Sequence, residues 1–547
     1  MMRPYESNTP DVGGTYVVEE HREKNEITLE DAAPPKLNRA LKARHITMIS
    51  IGGTIGTGLF VASGSSIATA GPAGALVAYM CIGIMVYFMM SSLGEMATYL
   101  PISGSFNSYA GRFIDPALGF ALGWNYWYSW AVTVAVELAA AGIVVQYWLP
   151  DINPIVWSAV CLVIMLSFNL FSVRGYGEAE YWFALIKVIT VIVFIIIGIT
   201  VVCGGLGGEY ISTKTFNYGG FQGGFLGVLS VFLVAGFSFQ GTELVGVTAG
   251  ESENPRKNVP AAIKQVFWRI LLFYVLAIFV IGLVIPYDDP NLLNATINSI
   301  AISPFTLVFL KAGLQPAAHI MNAIIITTVL SAGNSGLYAS SRVLYNLALE
   351  GQAPAIFKKM TKGGIPIYSL LATTFIGALA FLASLVGNGV IYTWLLNLSG
   401  LTGFIAWCGV SASHYRFRKA YVAQGRSLDD LPYRAKLYPF GPIFALSLGI
   451  IICLLQGLNN FMANPVDVPT AIASYIGIPL FAIFYGVYKI VKGTKLIPLL
   501  EVDLDSGREE IVLHQALFDH EDAAGSSKDV VAWNPLTWKH ALQREKK

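Results

Sequence analysis

Charge is scarce in this sequence. Only 13% of its 547 residues are Asp, Glu, Lys or Arg, 54% are hydrophobic, and the mean hydropathy is +0.59. So few charges cannot cover a soluble globular surface, which makes lipid the expected solvent for most of the chain. A formal net charge of +1 leaves no basic footprint for nucleic acid. Cysteine is sparse too. Cys81, Cys161, Cys203, Cys408 and Cys453 lie in apolar segments without metal-ligand spacing, so neither zinc nor a disulfide framework is expected. No nucleophile–base pair, phosphate loop or metal cluster stands out, which argues against a membrane enzyme and against any cofactor. No cleavable signal peptide is evident, and the first span is expected to act as the insertion signal.

What the sequence has in abundance is apolar runs long enough to cross a bilayer. Twelve are expected, at residues 46–70, 72–100, 117–149, 155–171, 179–203, 224–248, 266–285, 316–349, 368–386, 390–415, 442–458 and 471–491. Residues 1–43 read as a disordered cytoplasmic tail and 492–547 as a polar cytoplasmic tail. With the N-terminus inside, the internal loops carry sixteen Lys and Arg residues and the external loops only Lys214 and Lys311. That asymmetry places both termini in the cytoplasm of a multi-pass plasma-membrane protein.

The first run is interrupted by Gly52-Gly53-Thr54-Ile55-Gly56-Thr57-Gly58, poor material for an unbroken helix. Backbone that leaves a helix within lipid must line a cavity or be buried in protein. The second half-helix would then aim free N–H groups at the membrane midplane, an anion site suited to a small carboxylate. Close helix packing through small residues is the competing reading. The sixth run repeats the interruption at Ala235-Gly236-Phe237-Ser238-Phe239-Gln240-Gly241-Thr242-Glu243. Paired breaks at corresponding positions point to a transporter site between inverted repeats, residues 44–204 and 223–419, with two further helices in 439–491. The expected fold is therefore an all-α integral membrane protein of twelve transmembrane helices. Its core is a five-plus-five inverted repeat with helices 1 and 6 broken.

These residues resemble the amino acid permeases of the amino acid–polyamine–organocation superfamily over about residues 38–495. The resemblance is carried by Arg44-His45-Ile46-Thr47-Met48-Ile49 leading into Gly52–Phe60, and by Ser92-Leu93-Gly94-Glu95-Met96. Glu178-Ala179-Glu180-Tyr181-Trp182-Phe183 with Lys187, and Gly241-Thr242-Glu243, carry it further. Within the family the look is that of lysine-specific and basic amino acid permeases, on Phe237-Ser-Phe-Gln-Gly-Thr-Glu243, Ser303-Pro-Phe-Thr306, Ser331-Ala-Gly-Asn-Ser335 and Asp430-Leu-Pro-Tyr-Arg434. The polar tails suggest a fungal protein.

The resemblance implies proton-coupled amino acid import, and it sharpens the site. The substrate carboxylate is expected on the N–H groups of Gly56, Thr57 and Gly58. Its ammonium would meet carbonyls near Thr54, Ile55 and Phe237 to Gln240, including Ser238 and Phe239. Phe237 is read as a gate over the substrate or as ordinary packing. Thr133 and Glu137 share a helix face, which the family pattern turns toward the substrate side chain. Mid-membrane charges are functional candidates by default. Lys187 resembles the family lysine that replaces a bound sodium ion, with a structural pair as its alternative. Glu243 is read as a proton relay or an anchor, and Glu95 as a coupling, gating or structural group. Lys24, Lys36 and Lys42 are expected targets for ubiquitin-ligase adaptors. The remaining alternatives are a broad-specificity general permease and a non-transporting amino acid sensor.

Overall fold

The computed structural model describes residues 55–102, 106–170, 173–207, 210–211, 213–248, 255–294, 303–361, 363–382, 387–462, 465–506 and 508. Thr54, the glycines before it, the N-terminal tail with Lys24, Lys36 and Lys42, and the chain after 508 lie outside the described residues.

Among the described residues, nine helices are long and apolar enough to cross a membrane, and two shorter apolar helices accompany them. The first, α1 (Gly58–Tyr99), contains the end of one expected span and the whole of the next. Gly71 divides them, with φ +73° ahead of Pro72. A Cβ at Gly71 would stand 2.2 Å from the Gly219 carbonyl oxygen, so both the dihedral and the space require glycine. The turn is pinned to the loop before the sixth run: Ala73 and Gly74 N–H donate to the Gly220 carbonyl, and Gln222 N–H donates to Ala70.

The next elements are α2 (Phe106–Phe113), α3 (Pro116–Val145), α4 (Pro154–Leu170) and α5 (Val173–Val202). Asp115 starts α3 by accepting from Ala117 N–H, with Pro116 in the first turn, where its missing N–H costs nothing. The sixth run forms α6 (Gly224–Phe239) and α7 (Leu244–Thr248), separated by an unwound segment. There Gln240 is extended and Gly241 has φ +100°. Then come α8 (Arg256–Val284), α9 (Pro304–Lys311), α10 (Gln315–Leu349) and α11 (Ile367–Leu382). The chain continues through α12 (Asn388–Ala423), α13 (Phe440–Met462) and α14 (Val468–Lys492).

Helix α3 lies at the centre, packed by α2, α4, α10, α11, α12 and α14, while α1 packs on α6. Large apolar side chains left exposed on outer helices, such as Val163, Ile196, Leu454 and Ile483, suit a lipid-facing surface. The start of the polar segment after α14 is docked on the bundle. Val502 and Leu504 are buried, Ile497 N–H donates to Ile114, and Gln424 Nε2 donates to the Leu499 and Val502 carbonyls. Arg426 forms a two-pronged pair with Asp505 at 2.8 and 2.5 Å. The start of the tail is thus a strap across the ends of α2 and α12.

Candidate functional site

The start of α1 and the break between α6 and α7 meet α3 at one small cavity. Its walls are Gly56 and Gly58 from the start of α1, Trp130, Thr133 and Glu137 from α3, Phe237 and Gln240 from the α6 break, and Ala332 from α10. The open space is about 20 Å3, room for roughly one water and too little for an amino acid.

Glycine is needed at the two α1 positions for different reasons. A Cβ at Gly56 would approach Glu137 Oε1 at 3.2 Å and Ala332 at 3.3 Å, on the cavity side. A Cβ at Gly58 would meet Ser238 Cα at 2.5 Å, the backbone of α6. At Gly58, therefore, close packing through a small residue is what the geometry demands. Residues 58–62 form a π-helical turn, and its carbonyls find side-chain donors: Ser63 Oγ donates to Leu59 and Ser303 Oγ to Phe60, each at 2.5 Å. Ser303 also accepts from Phe305 N–H, so it caps α9 while holding α1.

Glu137 is buried, and its Oε1 accepts from the Thr57 hydroxyl at 3.0 Å. Its Oε2 has no hydrogen-bond partner among the described residues. Gln240 is fixed by α3 and α12: its Nε2 donates to Ser129 Oγ at 2.8 Å, and Ser399 Oγ donates to its Oε1 at 3.0 Å. Ser399 also shares a 2.6 Å hydrogen bond with Thr133. The Gln240 N–H still bonds back to the Gly236 and Phe237 carbonyls of α6, while its side chain is held by α3 and α12.

The remaining predicted residues lie elsewhere. Ile55 is fully buried but does not wall the cavity. Ser238 packs on Gly58 and shares a 3.0 Å hydrogen bond with Tyr79 Oη. Phe239 packs on Tyr274, with ring centroids 4.1 Å apart and the ring planes tilted by 31°. Glu243 does not wall the cavity either. Its carboxylate accepts from Gly241 N–H, Tyr126 Oη (3.1 Å) and Trp407 Nε1 (3.2 Å), which ties down the α6 break from behind. Lys187 also sits off the cavity wall, and its Nζ donates to Ser331 Oγ at 2.9 Å. Glu95 belongs to a separate cluster, with a two-pronged ion pair to Arg418, His414 Nε2 at 3.2 Å and Ala435 N–H at 2.6 Å.

Sequence reasoning missed Trp130, Ala332, Ser399 and Glu180. Trp130 was detectable, because it precedes Thr133 and Glu137 by three and seven positions on one helical face. Ala332 carries no chemical signal at all. Glu180 stands seven residues before Lys187, again one face of a helix.

A sequence model of the amino acid permease family matches residues 45–499. The lysine-specific permease LysP of Escherichia coli K12 is 56% identical over 86% of this chain and 96% of its own length. The lysine-specific permease LysP of Lactococcus lactis is 52% identical over 87% and 94%, and the histidine permease HisP of the same species 51% over 86% and 98%. All three are bacterial, so the fungal source that the tails suggested is not supported. The chain is a multi-pass membrane transporter rather than an enzyme, and it belongs to the amino acid permease family.

Proposed function

We propose that this permease imports cationic L-amino acids, lysine first and arginine second, across the plasma membrane by alternating access coupled to protons. The observation that carries the reading is the Glu137 carboxylate in the cavity wall, with one oxygen held by Thr57 and the other without a partner among the described residues. A buried carboxylate in that state is matched by an ammonium or guanidinium and leaves a neutral side chain facing an unpaired charge. Two relatives whose names specify lysine add support.

In this reading the substrate carboxylate meets the N–H groups of Gly56, Thr57 and Gly58, and its ammonium meets carbonyls near Thr54 and residues 237–240. Phe237 and Trp130 withdraw to admit it, since the cavity holds only about a water. The nine long helices, the two shorter ones and the division of α1 at Gly71 are consistent with twelve spans, and the loop charges with cytoplasmic termini. Lys187 is the coupling group. One observation favours a second reading, histidine as substrate: HisP matches as well as one of the lysine permeases does.

The coupling test is uptake of radiolabelled lysine into proteoliposomes. Accumulation should follow an imposed pH gradient and ignore sodium. A strict sodium requirement would overturn proton coupling.

A further inference from the structure

Behind the cavity, α5 and α10 enclose a polar cluster around Lys187 whose other members no step described so far uses. Lys187, Ser331, Asn334 and Glu180 are all fully buried in it. Glu180 and Lys187 lie seven residues apart on α5, and Ser331 and Asn334 three apart on α10, so each pair shares a helix face. Ser331 bridges the two charges: its Oγ accepts from Lys187 Nζ at 2.9 Å and donates to Glu180 Oε2 at 2.7 Å. A hydroxyl has one proton to give, so this chain runs in a single direction, ammonium to hydroxyl to carboxylate. The other Glu180 oxygen is held by Asn334 Nδ2 at 2.9 Å. Asn334 is itself oriented by Asn169 of α4, whose Nδ2 donates to Asn334 Oδ1 at 2.6 Å.

We propose that Glu180 is the proton partner of Lys187 during transport, receiving the proton through the Ser331 hydroxyl. The assignment rests on the reading of proton-coupled uptake through Lys187. In the step, a Lys187 N–H bond breaks as its proton joins Ser331 Oγ. The original Ser331 O–H bond breaks as that proton joins Glu180 Oε2. Lys187 ends as a neutral amine and Glu180 as a neutral carboxyl, with no other reactant needed.

The surroundings give the step a trigger. Two carboxylates act electrostatically on Lys187, Glu180 on its own helix and Glu137 on α3. Glu137 walls the cavity, whereas Glu180 lies behind it. A cationic substrate arriving beside Glu137 repels the Lys187 charge, and the hydroxyl bridge gives that proton a destination that avoids lipid. Were Glu180 only a structural counter-ion, the bridging hydroxyl would have no bearing on the pH response.

The test compares wild type, Glu180→Gln and Ser331→Ala in proteoliposomes. It measures radiolabelled lysine accumulation under a pH gradient, its pH profile, and lysine–lysine exchange without a gradient. Exchange needs no net proton movement and reports folding and binding. Both variants should keep exchange near the wild-type rate while gradient-driven accumulation falls by about a hundredfold and its pH profile flattens. Wild-type accumulation and pH profile in both variants would overturn the assignment, and so would loss of exchange together with accumulation. If wild-type protein accumulates lysine equally well without a pH gradient, the coupling reading itself falls and takes this assignment with it. If wild type responds to the gradient and the variants respond equally, only the role of Glu180 falls.

Discussion

Thr57 on α1 donates its hydroxyl to Glu137 on α3 at 3.0 Å, joining residues 80 positions apart in sequence. The bond ties the start of α1 to the central helix of the bundle. It also holds one carboxylate oxygen, while the other has no hydrogen-bond partner among the described residues. Whatever moves α1 during transport therefore also moves a donor of Glu137.

The two α1 glycines should separate by experiment. Gly58→Ala drives a methyl into the Ser238 backbone, and overpacking of this kind costs about 1–3 kcal/mol. It should lower the melting temperature of the purified protein. Gly56→Ala meets only tight side-chain contacts with Glu137 and Ala332. It should keep stability closer to wild type and weaken lysine binding. Equal melting temperatures for the two variants would contradict this division.

Glu243→Gln is expected to act on the fold. The carboxylate gathers Tyr126, Trp407 and the Gly241 N–H behind the α6 break, and hydrogen bonds to charged groups are worth about 1.5–3 kcal/mol each. Thermal stability should fall while the ranking of competing amino acids stays unchanged. A changed ranking would return Glu243 to the substrate site.

The strap after α14 gives a pH prediction. The Arg426 guanidinium holds the Asp505 carboxyl below its usual range. A lowered carboxyl stabilises docking above its ordinary value of about 3.9, and the contribution disappears as pH falls through the lowered folded value. Asp505 is largely exposed, so the contribution is small. Hydrogen exchange across residues 493–506, corrected for intrinsic rates, should show constant protection from neutral pH to mild acid. Release at mildly acidic pH would mean that another group controls the strap.

Local chemistry was legible in the sequence, and distant partnership was not. The glycines of the sixth run announced the break between α6 and α7, and helical spacing put Thr133 and Glu137 on one face. Gly71-Pro72 marked the boundary between two spans because only glycine takes that dihedral easily. The Glu95–Arg418 pair joins residues 323 positions apart, and nothing local to either side chain specifies the other. For Gly58 and Glu243 the sequence left two readings open for the same reason: the deciding neighbour sits on another element, Ser238 for one and Trp407 for the other. Ser303-Pro304 was visible only as a family mark, and its task, capping α9 while satisfying the Phe60 carbonyl, needed coordinates.

Competition for radiolabelled lysine uptake by the other proteinogenic amino acids, in wild type and Glu137→Gln, tests the account at its centre. Arginine should compete with lysine in the wild type while leucine and glutamate do not. Glu137→Gln should lose about 1.5–3 kcal/mol of that preference, roughly a ten- to hundredfold change in relative affinity. Competition by leucine or glutamate as strong as that by lysine would contradict the cationic reading and leave a general permease in its place.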